Sequence, residues 1–243
     1  MSFLEPRVTL SVVSHGQVTL LDCLLSDLVC LPRHDFEVVV TVNIPERELD
    51  VKLFPFKVVI IRNQRPAGFG ANHNAAFRLS RGEFFIVINP DIRIYSMDFD
   101  CLLMPFLSNR VAAVAPSVFS AGGNIEDNAR RFPTFLRLFF RFFFTRRSLD
   151  YQKVSEAVGV DWVAGMFVAF RRYDYDRVGG FDERRFFMYL EDADICRRLR
   201  ELGSEIILNP AVSVTHIAQR ASHRSFRHFL WHSISAVRYL SGK

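Results

Sequence analysis

The first half of the chain alternates short apolar runs with helix-compatible stretches. Runs rich in β-branched and aromatic residues predict four strands, at 7–14, 36–42, 57–61 and 83–88. Leucines at helical spacing predict a helix over 17–31, and residues 71–80 are compatible with a second helix. This alternation predicts an α/β fold with a mostly parallel central sheet flanked by helices.

The second half is less regular. An apolar run predicts a strand over 111–118, and a short strand is predicted over 204–208, before Pro210. Residues 160–170 form another apolar run. Residues 186–199 are compatible with a helix.

Polar or flexible residues follow several predicted strands of the first half. His15, Asn43, the 63–70 loop and Asp91 all stand at such ends. Because the carboxyl ends of parallel strands meet at one edge of a sheet, where ligands bind in α/β folds, we expect these groups to converge.

The first candidate for chemistry is Asn89-Pro90-Asp91. A carboxylate at the end of a buried strand is costly to keep charged unless a cation meets it. Oxygen ligands are those that Mg²⁺ or Mn²⁺ prefer. The alternative is a simple turn, because all three residue types are good turn formers.

A second candidate is the acidic cluster Glu191, Asp192 and Asp194. Acids at a helix start are commonly solvated residues that complement the helix dipole. Here the neighbouring residues include Tyr189, and apolar surroundings raise a carboxyl pKa towards that of a general base. A third candidate, His216, has a structural alternative unless it meets Asp91 in space.

Four strings occur in order along the chain: Gly68 to Ala76 (GFGANHNAA), Asn89 to Asp91 (NPD), Gly179 to Glu183 (GGFDE) and Tyr189 to Asp194 (YLEDAD). With His216, they make the chain resemble the family 2 glycosyltransferases, most of all the rhamnosyltransferase-type branch. The resemblance spans about residues 8 to 216 and implies a GT-A fold.

The resemblance implies the nucleotide-sugar-binding positions. They are Ser14, His15, Asn43, Asn63, Gly68, Phe69, Gly70, Asn74, Asn89 and Asp91. Asn43 stands where the family usually has Asp, which leaves the base open. Asn89 replaces the first Asp of the family's Asp-X-Asp metal motif, so Asp91 is expected to carry most of the metal binding and Asn89 to contact sugar or ribose.

Inverting chemistry is implied as well. Asp192 matches the family's catalytic base, and Glu191 is its neighbour in the motif. His216 lies 24 positions later, where related enzymes place a histidine that completes a Mg²⁺ or Mn²⁺ site with Asp91. The implied partners are a nucleotide-sugar donor and a saccharide or lipid-linked saccharide acceptor of cell-surface polysaccharide synthesis.

The acceptor wall is expected to include Trp162 and Gly165, where a ring stacks on sugar and glycine leaves room; core packing is the alternative for Trp162. We expect one domain with two halves and a basic helical extension. The bounds are 1–221 for the domain, 1–110 for the nucleotide-sugar half, 111–221 for the acceptor and catalytic half, and 222–243 for the extension.

The net charge of +5 and a pI near 9.2 suit an anionic ligand, an anionic membrane or nucleic acid. The sequence has no zinc-finger spacing or RNA-binding aromatic motif, so we expect no nucleic-acid partner. Segment 130–147 holds seven Phe and six Arg, which is typical of an interfacial helix on an anionic membrane. The alternative is a flap or dimer-interface helix.

Four scattered cysteines predict reduced thiols. With no signal-peptide pattern and no apolar run of about 18 residues, we expect a cytoplasmic protein that meets the membrane only peripherally. Two alternatives share the fold. A nucleotidyltransferase would need a basic glycine-rich loop after the first strand, unlike Ser14-His15-Gly16-Gln17. The other is a non-catalytic sugar-nucleotide-binding protein.

Overall fold

The structure is a computed structural model that describes residues 5–135, 137, 149–151, 154–217 and 226–242. Its strands are β1 (Val8–Ser14), β2 (Phe36–Val42), β3 (Lys57–Arg62), β4 (Phe84–Ile88), β5 (Ile92–Arg93), β6 (Val111–Ser120), β7 (Ala129–Arg130), β8 (Val158–Val160), β9 (Trp162–Val163), β10 (Phe167–Arg171) and β11 (Glu205–His216). Its α-helices are α1 (Val18–Val29), α2 (Phe69–Leu79), α3 (Phe99–Leu103), α4 (Arg172–Arg177), α5 (Glu191–Glu201) and α6 (Phe226–Ser241). Short 3₁₀ turns occupy Val51–Leu53 and Met104–Leu107.

Nine of the described strands form one sheet, in the order β3-β2-β1-β4-β10-β6-β11-β5, with β8 paired to β11. The strands β1 to β4 are parallel to one another. Beyond them β10 is antiparallel to both β4 and β6, and β11 is parallel to β6. The predicted α/β class is confirmed, and the predicted parallel strands of the first half all end at one edge of the sheet.

Helices cover both faces of this sheet. In β4, Ile86 and Ile88 pack in the same cluster as the leucines of α1, whereas Phe85 and Val87 pack with residues of α2 and α5. Successive side chains of a strand point to opposite faces, so a strand covered on both sides must be apolar throughout. This explains why β4, Phe84–Ile88, is a continuous apolar run.

Three segments of the second half are less regular in the structure than their sequence patterns. The run 160–170 is broken into parts of three strands, with Gly165 in the connection before β10. The helix predicted from 186 begins at Glu191, because Tyr189 and Leu190 have φ values of 75° and 66°.

The third difference is that β11 does not end before Pro210. Its pairing with β6 is irregular between Asn209 and Ser213. A bulge of this kind tolerates a proline, which donates no ladder hydrogen bond.

Most of segment 130–147 lies outside the described residues, because 136 and 138–148 are not described. The predicted membrane contact of this segment therefore stays a prediction. Among the described helices, none is long and apolar enough to cross a membrane.

Candidate active site

The carboxylate of Asp192, in the first turn of α5, is held by two backbone N–H groups. Gly165 N donates to Oδ2 across 3.0 Å, and Ala193 N donates to Oδ1 across 2.9 Å. Burial raises the pKa of Asp192 above its ordinary value, and the Gly165 N–H and the charge of Arg130 partly offset this effect. Asp192 as a whole is half-buried, whereas Glu191 before it is buried.

Glu191 differs sharply from its neighbour. Its side chain is buried, and Oε2 has no hydrogen-bond partner among the described residues. Burial, followed by the charge of Asp192, raises the pKa of Glu191 to about 8. Glu191 therefore keeps its proton to a higher pH than an ordinary glutamate, whereas two backbone N–H groups favour the ionised form of Asp192.

Asp91 and His216 meet in space, as the resemblance implied. His216 Nε2 lies 3.2 Å from Asp91 Oδ2, and His216 Nδ1 lies 2.7 Å from Glu126 Oε2. Burial alone would lower the pKa of His216, but the hydrogen bonds and charges of Asp91 and Glu126 outweigh it and raise the pKa to about 9. The sequence reasoning missed Glu126, which lies in the connection after β6.

The arrangement of Asp91 and His216 fits a divalent cation. Asp91 Oδ1 is buried and has no partner among the described residues, and an imidazole nitrogen faces the same carboxylate. Glu126 would orient the imidazole from its second nitrogen, as carboxylates behind metal-bound histidines do. The described residues contain no group of three or more His, Cys, Asp or Glu placed to hold a metal, so a ligand would have to complete the coordination.

These two groups of residues lie at the same edge of the sheet. Asn89 N donates to Met166 O across 2.9 Å, and Met166 follows Gly165, the residue bonded to Asp192. Asp91 lies two residues beyond Asn89, whose side chain is partly buried. The segment 165–166 is therefore hydrogen-bonded both to the Asp192 carboxylate and to Asn89, which stands two residues before Asp91.

At the ends of β1 and β2, amide groups form a network. Asn43 Nδ2 donates to Ala67 O, Ala67 N donates to Asn43 Oδ1, and Asn63 Nδ2 donates to the same Oδ1. His15 is exposed, with Nδ1 3.1 Å from Asn43 Nδ2. Ser14 is buried, and its Oγ accepts from Gln17 N. Asn43 fixes the loop that follows β3 through its bonds to Ala67. His15 is the exposed member of this network and is accessible to a ligand.

The Gly-Phe-Gly string is shaped by protein packing. A Cβ at Gly68 would collide with the Phe187 carbonyl, and one at Gly70 would lie 2.6 Å from Phe181 Cβ. Phe69 N donates to Phe187 O. Both glycines are therefore required by the close approach of the 181–187 loop to the start of α2. This packing explains the glycines without the diphosphate contact that the resemblance implies for them.

The side chain of Asn74, whose donor contact stays a prediction, is fully bonded within the protein. Its side chain is buried, and Nδ2 donates to Phe181 O and Glu183 Oε2. Its Oδ1 accepts from Tyr175 Oη and Phe181 N. All four bonds lie within the protein, so Asn74 fixes the GGFDE turn.

Trp162 and Gly165 have different environments. The Trp162 ring is buried, Nε1 donates to Arg131 O, and the Arg130 guanidinium lies 5.1 Å from the ring centroid. These contacts are those of a residue packed in the core, which is the alternative to the acceptor-wall role given for Trp162 above. Gly165 does lie at the site: a Cβ there would approach Phe69 Cζ to 2.9 Å, so glycine leaves room for the Phe69 ring beside Asp192.

Helix α6 supports the turn that precedes Glu191. Ser235 Oγ donates to Met188 O across 2.8 Å, and Tyr189 Oη lies 2.7 Å from His228 Nδ1. A non-glycine residue with positive φ costs about 1–2 kcal/mol, so two in succession persist only where surrounding contacts impose them. No pattern in the sequence indicates that the basic tail supplies these contacts.

Known proteins resemble this chain over most of its length. The glycosyltransferase-like family 2 profile matches residues 6–231. The rhamnosyltransferase WbbL of Escherichia coli (strain K12) is 31% identical over 189 residues, which cover 72% of this chain and 71% of that protein. The N-acetylglucosaminyl-diphospho-decaprenol L-rhamnosyltransferase of Mycobacterium tuberculosis (strain CDC 1551 / Oshkosh) is 30% identical over 144 residues, which cover 55% of this chain and 47% of that protein.

Solved structures share the fold at low identity. GalNAc-T7 with UDP, GalNAc and Mn²⁺ superposes with a TM-score of 0.67 at 17% identity, covering 87% of this chain and 44% of that one. The mannosyltransferase PcManGT from Pyrobaculum calidifontis, in complex with GDP-Man and Mn²⁺, superposes with a TM-score of 0.61 at 20% identity. The superposition covers 97% of this chain and 65% of that one. The expected GT-A fold is confirmed. With a family profile that matches nearly its whole length, the chain belongs to glycosyltransferase-like family 2.

Proposed function

We propose that this chain is an inverting rhamnosyltransferase of cell-surface polysaccharide synthesis, acting on a nucleotide-diphosphate donor and a saccharide or lipid-linked saccharide acceptor. The observation that carries the proposal is the Asp192 carboxylate, fixed by Gly165 N at the sheet edge that also holds Asp91 and His216. Two relatives named as rhamnosyltransferases support the sugar, and the diphospho-decaprenol in one of those names supports the lipid-linked acceptor.

On the donor side, Asp91 and His216 would hold Mg²⁺ or Mn²⁺. The cation would neutralise negative charge on the leaving nucleoside diphosphate. Glu126 holds the imidazole through Nδ1, which leaves Nε2 directed at Asp91. His15 and Asn89 are open or partly open at the same edge and are available to the base, ribose or sugar.

On the acceptor side, Asp192 would take the proton of an acceptor hydroxyl as that oxygen attacks the anomeric carbon. The two N–H groups on its carboxylate fix its direction, and its raised pKa makes it a stronger base than an ordinary aspartate. Attack from the face opposite the leaving group inverts the configuration in a single displacement. Glu191 keeps its own proton to a higher pH than an ordinary glutamate and so does not compete for this one.

We further propose that residues 1–110 form the nucleotide-sugar-binding half and residues 111–221 the acceptor-binding and catalytic half, which also supplies His216 to the metal site. The donor half contributes the parallel strands β1 to β4, and the later half contributes Gly165, Asp192 and His216. Intact Asp91, Asp192 and His216 favour a catalyst over a protein that only binds sugar nucleotides.

A donor screen tests the proposal. Purified protein with Mn²⁺ is incubated with a panel of nucleotide sugars that includes dTDP-rhamnose, and released nucleoside diphosphate is detected. Slow hydrolysis of one donor, abolished by EDTA and by Asp91→Ala, is the expected result. Release that persists in EDTA would contradict the metal site, and donor binding without release would favour the binding-only alternative.

A further inference from the structure

Helix α6 has two faces of different character. Its inner face is occupied: Ser235 and His228 bond to the loop before Glu191, and Tyr239 is buried with the Arg197 guanidinium 4.6 Å from its ring centroid. The helix therefore cannot turn its opposite face inward without losing these contacts.

The opposite face carries an exposed apolar stripe, which we call the α6 stripe. Its members and exposed fractions are Leu230 (46%), Ile234 (38%), Val237 (68%) and Leu240 (42%). At about 100° per residue these four positions fall within an arc of about 120°, the width of an apolar face that normally packs against something. Within the described part of the chain, the stripe faces away from the domain.

The charge of this region favours an anionic surface as the partner of the stripe. Residues 206–243 contain no Asp or Glu, whereas the tail carries Arg220, Arg224, Arg227, Arg238 and Lys243. Pairing of two copies through the stripe would bring two cationic tails together. Anionic lipid headgroups would instead complement the charge while the acyl boundary takes the apolar side chains.

We propose that the α6 stripe docks on an anionic lipid surface, with the helix lying in the plane of the interface. The helix has 16 residues, about 24 Å at 1.5 Å per residue, and lies on the surface without spanning it. This inference goes beyond the proposed function, and it differs from the membrane contact predicted for segment 130–147. Because the inner face of the same helix holds the loop before Glu191, docking would bring the catalytic edge close to lipid-borne acceptors.

Vesicle co-sedimentation of the full chain tests the proposal. Vesicles of mixed phosphatidylglycerol and phosphatidylcholine are compared with vesicles of phosphatidylcholine alone. We expect binding to the anionic vesicles that falls at least ~10-fold in the double variant Ile234→Glu/Val237→Glu. The matched control is Leu53→Glu/Leu107→Glu, which adds the same charge at two exposed apolar residues outside the stripe and is expected to bind like the unmodified chain.

Three results would overturn the proposal. The first is the absence of binding to anionic vesicles. The second is a stripe variant that binds them as well as the unmodified chain does, which would favour segment 130–147 as the membrane contact. The third is a dimer, seen by light scattering, that the stripe variant dissociates while vesicle binding is absent. Thermal melting confirms that each variant is folded. Donor hydrolysis is measured without vesicles and therefore tests the catalytic site independently of docking. A chain that hydrolyses donor but does not bind vesicles would contradict the docking proposal and not the proposed function.

Discussion

Gly165 N donates a hydrogen bond of 3.0 Å to Asp192 Oδ2, joining the connection before β10 to the first turn of α5. This bond favours the ionised carboxylate, while burial acts against it and raises the pKa. The bond fixes the Asp192 carboxylate beside Gly165, which also approaches the Phe69 ring, and this is the carboxylate that we propose as the general base.

Replacing Asp192 tests that role. Asp192→Asn keeps the shape of the side chain and removes the base, so we expect kcat for donor hydrolysis to fall by at least ~10²-fold with donor affinity little changed. The released diphosphate and calorimetric donor binding are measured. Asp176→Asn, at an exposed position of α4, is the matched control. A variant that keeps more than a tenth of the rate would exclude Asp192 as the base.

Glu126 has a testable effect on the metal site. Glu126→Gln weakens the acceptor that holds His216 Nδ1, and loss of such a partner lowers metal affinity by about 10–100-fold. Mn²⁺ binding in the presence of nucleoside diphosphate is measured by electron paramagnetic resonance. Glu83→Gln, an exposed site before β4, is expected to bind Mn²⁺ normally. Equal affinities in the two variants would contradict the role of Glu126.

The pKa of Glu191 predicts how stability depends on pH. In the folded chain the carboxyl keeps its proton up to about pH 8, whereas its ordinary value is 4.5. Between these values the folded state binds more protons than the unfolded state, so this group makes the free energy of unfolding fall as pH rises. Glu191→Gln removes the titration, and its Tm relative to the unmodified chain should rise steadily from pH 5 to about 8.

The control for this effect is Glu201→Gln, on the same helix but with a mostly exposed side chain. Its Tm difference from the unmodified chain is expected to be small at every pH. If the Tm difference between Glu191→Gln and the unmodified chain does not change with pH, burial does not raise the pKa of this carboxyl.

Two adjacent glycines provide a matched pair. Gly179 and Gly180 both have positive φ, 74° and 69°, but a Cβ at Gly180 would collide with Asn74 Oδ1 and lie 2.9 Å from Tyr175 Cε1, whereas the space around Gly179 is open. Gly179→Ala should cost about 1 kcal/mol from the backbone alone. Gly180→Ala should cost at least ~1 kcal/mol more, because it also disrupts the Asn74 bonds. Urea unfolding measures both, and equal losses would contradict the close packing.

The strands of the first half were predictable because a sheet covered on both faces requires continuous apolar runs. The meeting of Asp91 with His216 was predictable only through the resemblance, since 125 positions separate them. Glu126 was missed because no local pattern marks a carboxylate whose partner lies 90 positions away. The start of α5 was misplaced because tertiary contacts from Ser235 and Phe69 impose the turn at Tyr189 and Leu190.

The position of β11 in the sheet has a consequence for synthesis of the protein. This strand is the last of the described strands in the chain, yet it pairs between β6 and β5, and β5 pairs with it through His216 and Thr215. A nascent chain can assemble β1 to β4 on the ribosome, but Asp91 gains His216 only after residue 216 has left the exit tunnel. We therefore expect the Asp91–His216 pair, and the cation site proposed for it, to form only after β11 has been synthesised and has paired with β5.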